Sequence, residues 1–271
     1  MNRATMSKAE NCISYNQRFD EAQSFLLSSP RSAPGAGQYT ITATTQRPIL
    51  LQSFGLQSNS AAGAIVQGMI ADIKVAGQSL MVSDQSVAAG CFDYSNFGAE
   101  NRVIGLTINN NQTVSVTGTP GAAASTGFAI SAFPIEPSQV RTLKEQATRF
   151  NYIFGLPQTA VGAGATAIMQ ATATRGCVLG EVRLVNQDVA AVPSADLVIT
   201  SFKIGGIEML CGATGQQVPF AALEGNASDV LGLALNYPIE SNSIVSITVQ
   251  NLAAAGASVA GGIFVSPFSR A

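Results

Sequence analysis

The sequence has no histidine and no tryptophan, and 11% of its 271 residues are charged. Without histidine there is no Ser-His-Asp triad, no Cys-His dyad and no imidazole general base. The commonest metal ligand is missing as well, which excludes histidine-based zinc and iron sites. Charge at less than half the usual ~25% leaves little material for carboxylate clusters or a phosphate-binding face. The 14 basic and 16 acidic residues nearly cancel, so no basic stripe for nucleic acid is expected. No run of 18 apolar residues is present to span a membrane as a helix. The polar start, Met1 to Ser7, has no apolar h-region of a secretory signal. The four cysteines, Cys12, Cys91, Cys177 and Cys211, show no CxxC spacing and read as buried free thiols, a Cys177–Cys211 disulfide being the alternative.

What the chain does have is a 46% hydrophobic content at near-zero net charge, which marks a folded protein with a sizeable core in one or two domains. Charge is unevenly placed. Residues 1–40 and 136–158 together hold 12 of the 30 charged side chains. Both segments read as helices. Ser7-Lys8-Ala9-Glu10 fits a capping box, and Cys12, Tyr15, Phe19, Ala22 and Leu26 follow at three- and four-residue steps, ending near Ser28-Ser29-Pro30. A second helix is expected after Pro137, capped by Ser138, with Leu143, Ala147, Phe150 and Phe154 as its stripe and Gly155-Leu156-Pro157 as its end.

The two long, charge-poor blocks read as β-structure, because short runs rich in Val, Ile, Thr and Phe alternate with Gly, Asn, Ser and Pro clusters. Expected strands are 39–45, 104–108, 113–117, 128–133, 197–204, 231–235, 244–250 and 263–266, with turns at Asn109-Asn110-Asn111 and at Gly118-Thr119-Pro120-Gly121. Val87-Ala88-Ala89 and Phe220–Glu224 read as short helical insertions at the same point of each block.

The blocks resemble each other. Ala43–Arg47 aligns with Ala171–Arg175, Ile70–Gly77 with Ile199–Gly206, Ile104–Ile108 with Leu231–Leu235, and Gly127–Phe133 with Gly262–Phe268. These anchors come in the same order, at offsets of 128, 129, 127 and 135, as expected of an internal duplication. Each repeat of roughly 100 residues has the size of one β-sandwich, a jelly roll or an immunoglobulin-like fold. Immunoglobulin hallmarks are absent, since there is no Trp and no spaced Cys pair.

A helical segment followed by two tandem sandwiches with a helical linker resembles the double jelly-roll major capsid proteins of tailless, internal-membrane bacteriophages and the adenovirus-like lineage. The resemblance covers nearly the whole chain and rests on architecture and the four anchor pairs. It implies an all-β fold of two tandem jelly rolls, divided as an N-terminal arm (1–37), a first jelly roll (38–135), a helical linker (136–159) and a second jelly roll (160–271). It also implies a non-enzymatic, cofactor-free structural protein, found in the virion and made in the host cytoplasm. Three copies would form a pseudo-hexameric capsomer of an icosahedral shell, with a vertex (penton) protein and an internal membrane as further partners. Interfaces on several sides agree with the low charge, and fused repeats suit symmetric closure. The alternative is a phage spike, fibre or decoration protein, or a carbohydrate-binding tandem sandwich, against which the lack of Trp argues. A two-barrel cupin would need histidine ligands.

The candidate contact residues lie in the N-terminal segment: Phe19, Phe25 and Leu26 as apolar contacts, with Arg3, Lys8 and Arg18 as polar ones. They face either a neighbour or membrane surface, or the chain's own barrels. Four basic against three acidic residues in that segment are too few for a genome-binding arm. Lys74 and Lys203 hold equivalent repeat positions, as do Arg47 and Arg175, and read as inter-subunit ion pairs or as solvated strand residues. Asp72, Asp84 and Asp93 lack the spacing of a calcium loop.

Overall fold

The computed structural model describes residues 25–28, 37–58, 68–92, 106–121, 126–134, 152–210, 217–224 and 233–267. The first half supplies β1 (Phe25–Ser28), β2 (Tyr39–Thr44), β3 (Ile49–Ser58), β4 (Met69–Val75), β5 (Gln78–Ser79), β6 (Val87–Ala88), β7 (Leu106–Ile108), β8 (Thr113–Thr119) and β9 (Thr126–Pro134). The second half supplies β10 (Tyr152–Val161), β11 (Thr166–Thr172), β12 (Cys177–Asn186), β13 (Leu197–Ile204), β14 (Ile207–Glu208), β15 (Val218–Pro219), β16 (Leu233–Ile239), β17 (Ile244–Asn251) and β18 (Ala257–Pro267).

Alternation makes these strands. β2 buries Tyr39, Ile41 and Ala43 and exposes Thr40, Thr42 and Thr44, the period of two that a half-buried strand requires. β17 does the same with Val245, Ile247 and Val249. In each half the strands pair into two antiparallel sheets. The first half has the orders β1-β9-β3-β7 and β2-β8-β4-β5, and the second has β10-β18-β12-β16 and β11-β17-β13-β14. Numbered within each half, the two orders are the same, and they are those of an eight-stranded jelly roll built from two Greek keys. The fold is therefore two tandem jelly rolls, as expected.

Smaller features repeat too. β4 carries an irregularity between Ile70 and Asp72, and β13 carries one between Ile199 and Ser201. β3 and β12 are each irregular two residues into the pairing with their long partner, at Leu51/Ser53 and Leu179/Glu181. The β4–β5 turn places Ala76 and Gly77 at positive φ, and the β13–β14 turn does so with Gly205 and Gly206, the left-handed pair that a two-residue hairpin needs. Asn111 and Asn242, also at positive φ, turn β7 into β8 and β16 into β17. Short 3-10 turns, Ala89–Phe92 and Phe220–Ala222, follow β6 and β15; the helical insertion expected at Val87-Ala88-Ala89 is corrected, since Val87 and Ala88 form the strand β6 and only Ala89 lies in the turn.

Register corrects two anchors. Ile49 pairs with Ile108, and Cys177 pairs with Ile239, so Ile108 is equivalent to Ile239 rather than to Leu235. Likewise Pro134 is equivalent to Pro267, an offset of 133 rather than 135. Both errors are even numbers of residues. An even slip keeps the inward and outward faces unchanged, so an apolar pattern cannot reveal it.

The helix readings need correction where the structure describes them. Phe25–Ser28 is strand, paired with β9 from Phe25↔Ala132 to Ser28↔Ala129. Phe154-Gly155-Leu156 lies inside β10, where Phe154 and Leu156 enter the second core and Ile153 joins the first. Short apolar runs fit either period, and here the period of two prevails. The rest of both expected helices, residues 1–24 and 135–151, lies outside the described residues.

Candidate functional site: the contact between the two sandwiches

The position outside β4 is shared by two short strands. β5 pairs with its C-terminal end and β6 with its N-terminal end. The chain between them leaves the first sandwich and runs along the second. Val82 N donates to Ile153 O (2.9 Å), and Ile153 N donates to Leu80 O (2.9 Å). On the other side, Thr174 N donates to Val82 O (2.8 Å) and Asp84 N to Thr172 O (3.1 Å). Asp84 Oδ1 accepts from Thr172 N, and Ser83 Oγ from Gly155 N, each at 2.7 Å. Residues 80–84 thus bridge β10 and the end of β11, which are the outermost strands of the second sandwich's two sheets. Open edges invite wrong pairing, and covering them is a standard protection. The Val82 side chain is fully buried within the second core.

Beyond Val82, the segment lies on the outer face of sheet β10-β18-β12-β16. β12 is buried along nearly its whole length because its two faces serve two cores. Val182 and Leu184 point into the second core, while Val185 joins the first, together with Ile153, Ala260 and Phe264. Phe92 meets Phe264 edge-to-face at 5.6 Å, and Phe54 at 5.5 Å. Two glycines permit this approach. A Cβ on Gly155 would stand 2.4 Å from the carbonyl oxygens of Gln85 and Ser86, and one on Gly262 would stand 2.5 Å from Val87 Cγ2. Glycine inside a strand is the usual mark of such proximity.

A charged pair lies in the same contact. Arg183 Nε donates to Glu181 Oε1, the guanidinium lies 5.2 Å from the Phe264 ring centre, and Cys91 Sγ donates to Arg183 O at 3.7 Å. Arg183 is 4% exposed. Burial pushes the Glu181 carboxyl up to about 7 and the Arg183 guanidinium down to about 10, because each charged form loses water. Burial likewise pushes the Cys91 thiol up to about 12 and Cys177 to about 11; neither is in a disulfide. At the margin, Arg175 stacks over Tyr152 at 3.9 Å and donates from Nη2 to Ser79 O at 3.2 Å. Arg47, its repeat equivalent, is exposed.

The lysine pair has a local explanation. In the first sandwich Ser79 Oγ donates to Asp72 Oδ1 (2.6 Å), and Lys74 Nζ lies 3.5 Å from Asp72 Oδ2. In the second, acid and hydroxyl have changed places: Ser201 Oγ donates to Glu208, which also accepts from Phe202 N and Leu210 N. Slight burial raises the Glu208 carboxyl, but these hydrogen bonds and the Lys203 charge outweigh it and hold it below its ordinary value. Each lysine thus sits by an acid of its own hairpin. Among the described residues, no group of three His, Cys, Asp or Glu side chains gathers as metal ligands do. Asp72 and Asp84 serve separate contacts, and Asp93 lies outside the described residues. No described helix is long and apolar enough to cross a membrane.

Among solved structures the chain is similar to viral capsid proteins. The major capsid protein P2 from bacteriophage PM2 is 8% identical, with a TM-score of 0.40, over 92% of this chain and 99% of that one. VP54 of PBCV-1, fitted into a reconstruction of the virophage Sputnik, is 8% identical, with a TM-score of 0.36, over 89% and 92%. A β-porphyranase of glycoside hydrolase family 86 from Bacteroides plebeius has a TM-score of 0.17 and is covered over 36% of its length. No family model matches the chain, and no curated protein does.

Of the residues expected to make contacts, Arg3, Lys8, Arg18 and Phe19 lie outside the described residues. Phe25 and Leu26 fall in β1, an outermost strand of the first sandwich. Sequence reasoning missed Val82, Glu181 and Arg183. It placed Gly155 at a helix end, and Gly262 served as an alignment anchor. Glycines inside strand-like runs are the signal by which this close contact could have been found.

Proposed function

We propose that this chain is a structural, shell-forming protein of the viral major capsid type, acting in the virion and not as an enzyme. One observation carries the reading: a single jelly-roll topology occurs twice in the chain, strand for strand, and the two copies pack side by side through a dedicated contact. In a shell, three copies with two lobes each present six similar lobes and fill a hexagonal tiling. The scarcity of charge suits surfaces that are covered by neighbours on several sides.

In this reading three copies form a pseudo-hexameric capsomer of an icosahedral shell. A vertex protein occupies the fivefold positions, the shell is made in the host cytoplasm, and direct nucleic-acid binding is not expected. The arm within 1–37 and the linker within 136–159 connect the lobes to neighbours or to a membrane surface, with β1 and β10 counted into the jelly rolls. Negative-stain microscopy of the purified chain tests this. Uniform trimers, or shells built from them, are expected. A strictly monomeric chain that gives specific hits on a glycan array would overturn it in favour of a carbohydrate-binding tandem sandwich.

A further inference from the structure

Part of the contact between the two halves is made by a short linear segment. Leu80 belongs to the first core and Val82 to the second, so the chain passes from one sandwich to the other between them. Leu80 N still donates to Ile73 O of β4 at 2.8 Å. From Val82 onward the partners change: Val82 N, Val82 O and Asp84 N all pair with backbone of the second half. The segment bridges to β10 in parallel at Met81↔Ile153, and to the residue just beyond β11 in antiparallel at Ser83↔Ala173. It is held by main-chain hydrogen bonds on both sides, as a strand added to a sheet edge is held on one.

Two side chains make this pairing selective. A plain strand would offer backbone carbonyl oxygens to the edge N–H groups of Gly155 and Thr172. Here the Ser83 hydroxyl accepts from Gly155 N and the Asp84 carboxylate from Thr172 N, each at 2.7 Å. Ser83 Oγ also donates to Gln85 O at 3.1 Å, which turns its lone pairs toward Gly155. Asp84 closes a ring of two hydrogen bonds on Thr172, because Asp84 N donates to Thr172 O. Alanine at either position would leave an edge N–H without its acceptor, the costly case for a covered donor. Val82 beside them is fully buried in the second core. The site therefore reads three consecutive residues: an aliphatic side chain, a hydroxyl and a carboxylate. Gly155 supplies the clearance, since a Cβ there would meet the carbonyl oxygens of Gln85 and Ser86.

We infer that the gap between β10 and β11 is a strand-acceptor site, which binds an extended peptide segment reading aliphatic-Ser-Asp, and that Val82-Ser83-Asp84 is its in-chain occupant. Main-chain hydrogen bonds give such a site its affinity and the side chains its selectivity. A partner protein that presents the same three residues on an extended, uncovered segment competes for the place and displaces residues 82–84. The incoming segment covers the edges of β10 and β11 as the outgoing one did, so the exchange leaves no open strand behind.

A fluorescein-labelled peptide of residues 78–86, titrated with the full chain, tests this. Val82→Asp puts a charge into the second core and so evicts the in-chain segment. The peptide should bind this variant saturably, at least tenfold more tightly than it binds the wild type, whose site is filled. A peptide carrying Ser83→Ala and Asp84→Ala should bind at least tenfold more weakly than the unaltered one. Bound peptide should also slow hydrogen exchange at the amides of Ile153, Gly155, Thr172 and Thr174. Should Val82→Asp fail to fold, the full chain with Ser83→Ala and Asp84→Ala, which keeps the buried valine, replaces it in the same measurements. A folded variant that does not take up the peptide overturns the assignment. So does binding that is indifferent to the two changes in the peptide, or binding that leaves exchange at those amides unaltered.

Discussion

Gly262→Ala is a sharp test of the contact between the sandwiches. The added methyl would sit 2.5 Å from Val87 Cγ2 and 3.7 Å from Cys91 Sγ, so its conflict is chiefly with one branch of a fully buried valine. Overpacking of this kind costs about 1–3 kcal/mol. Val87→Ala removes the opposing branch. Alone it should cost about 2 kcal/mol, from two lost methyls at ~0.8 kcal/mol each and a small cavity. Together the two changes should cost less than their sum, since the new methyl fills space vacated by the old one. The expected coupling is at least about 1 kcal/mol. Gly155→Ala offers no such rescue, because its methyl meets the backbone carbonyls of Gln85 and Ser86. Gly256→Ala is the control, with its nearest atom, Val161 O, at an ordinary 3.7 Å. The assay is denaturant unfolding of the wild type and all five variants with a common slope. A Gly262→Ala protein as stable as the wild type, or additive costs in the double variant, would refute the reasoning.

Val82→Ala should destabilise the second sandwich by about 2 kcal/mol although the residue belongs to the first half, read as lost hydrogen-exchange protection in β10 and β11. Glu181 has a folded pKa raised from 4.5 to about 7, so the folded state holds its proton longer than the unfolded one. Stability should therefore be highest below pH 4.5 and fall as pH rises toward 7; Glu181→Gln should flatten that slope in unfolding midpoints taken across the range. Ala76 occupies φ +52 where Gly205 occupies φ +57. Ala76→Gly should be neutral to slightly stabilising in thermal melts, and Gly205→Ala should cost about 1 kcal/mol.

Much of the fold could be read from the residues, for reasons that also explain the failures. Leu197–Ile204 was found to the residue, and β2, β8 and β17 to within two, since each buries alternate side chains and ends at a turn with its own chemistry. The Ala76-Gly77 and Gly205-Gly206 turns anchored the duplication correctly. β12 was missed because both its faces are buried, which erases alternation. β10 was misread because Phe150 and Phe154 fit a helical step, while the Phe154-Gly155-Leu156 alternation gains meaning only with the first sandwich against it. The contact itself was hidden for a related reason. Val82 looks like any short apolar residue until the strand edges it covers are known, and Glu181 and Arg183 look like surface charges in a strand.

Native mass spectrometry of the intact chain over a rising concentration series tests the central claim most directly. The account predicts a species of three chains, each of 27.9 kDa, growing at the expense of the monomer with few dimers, as expected of a closed ring. A population that remains monomeric throughout, or that stops at dimers, would contradict it.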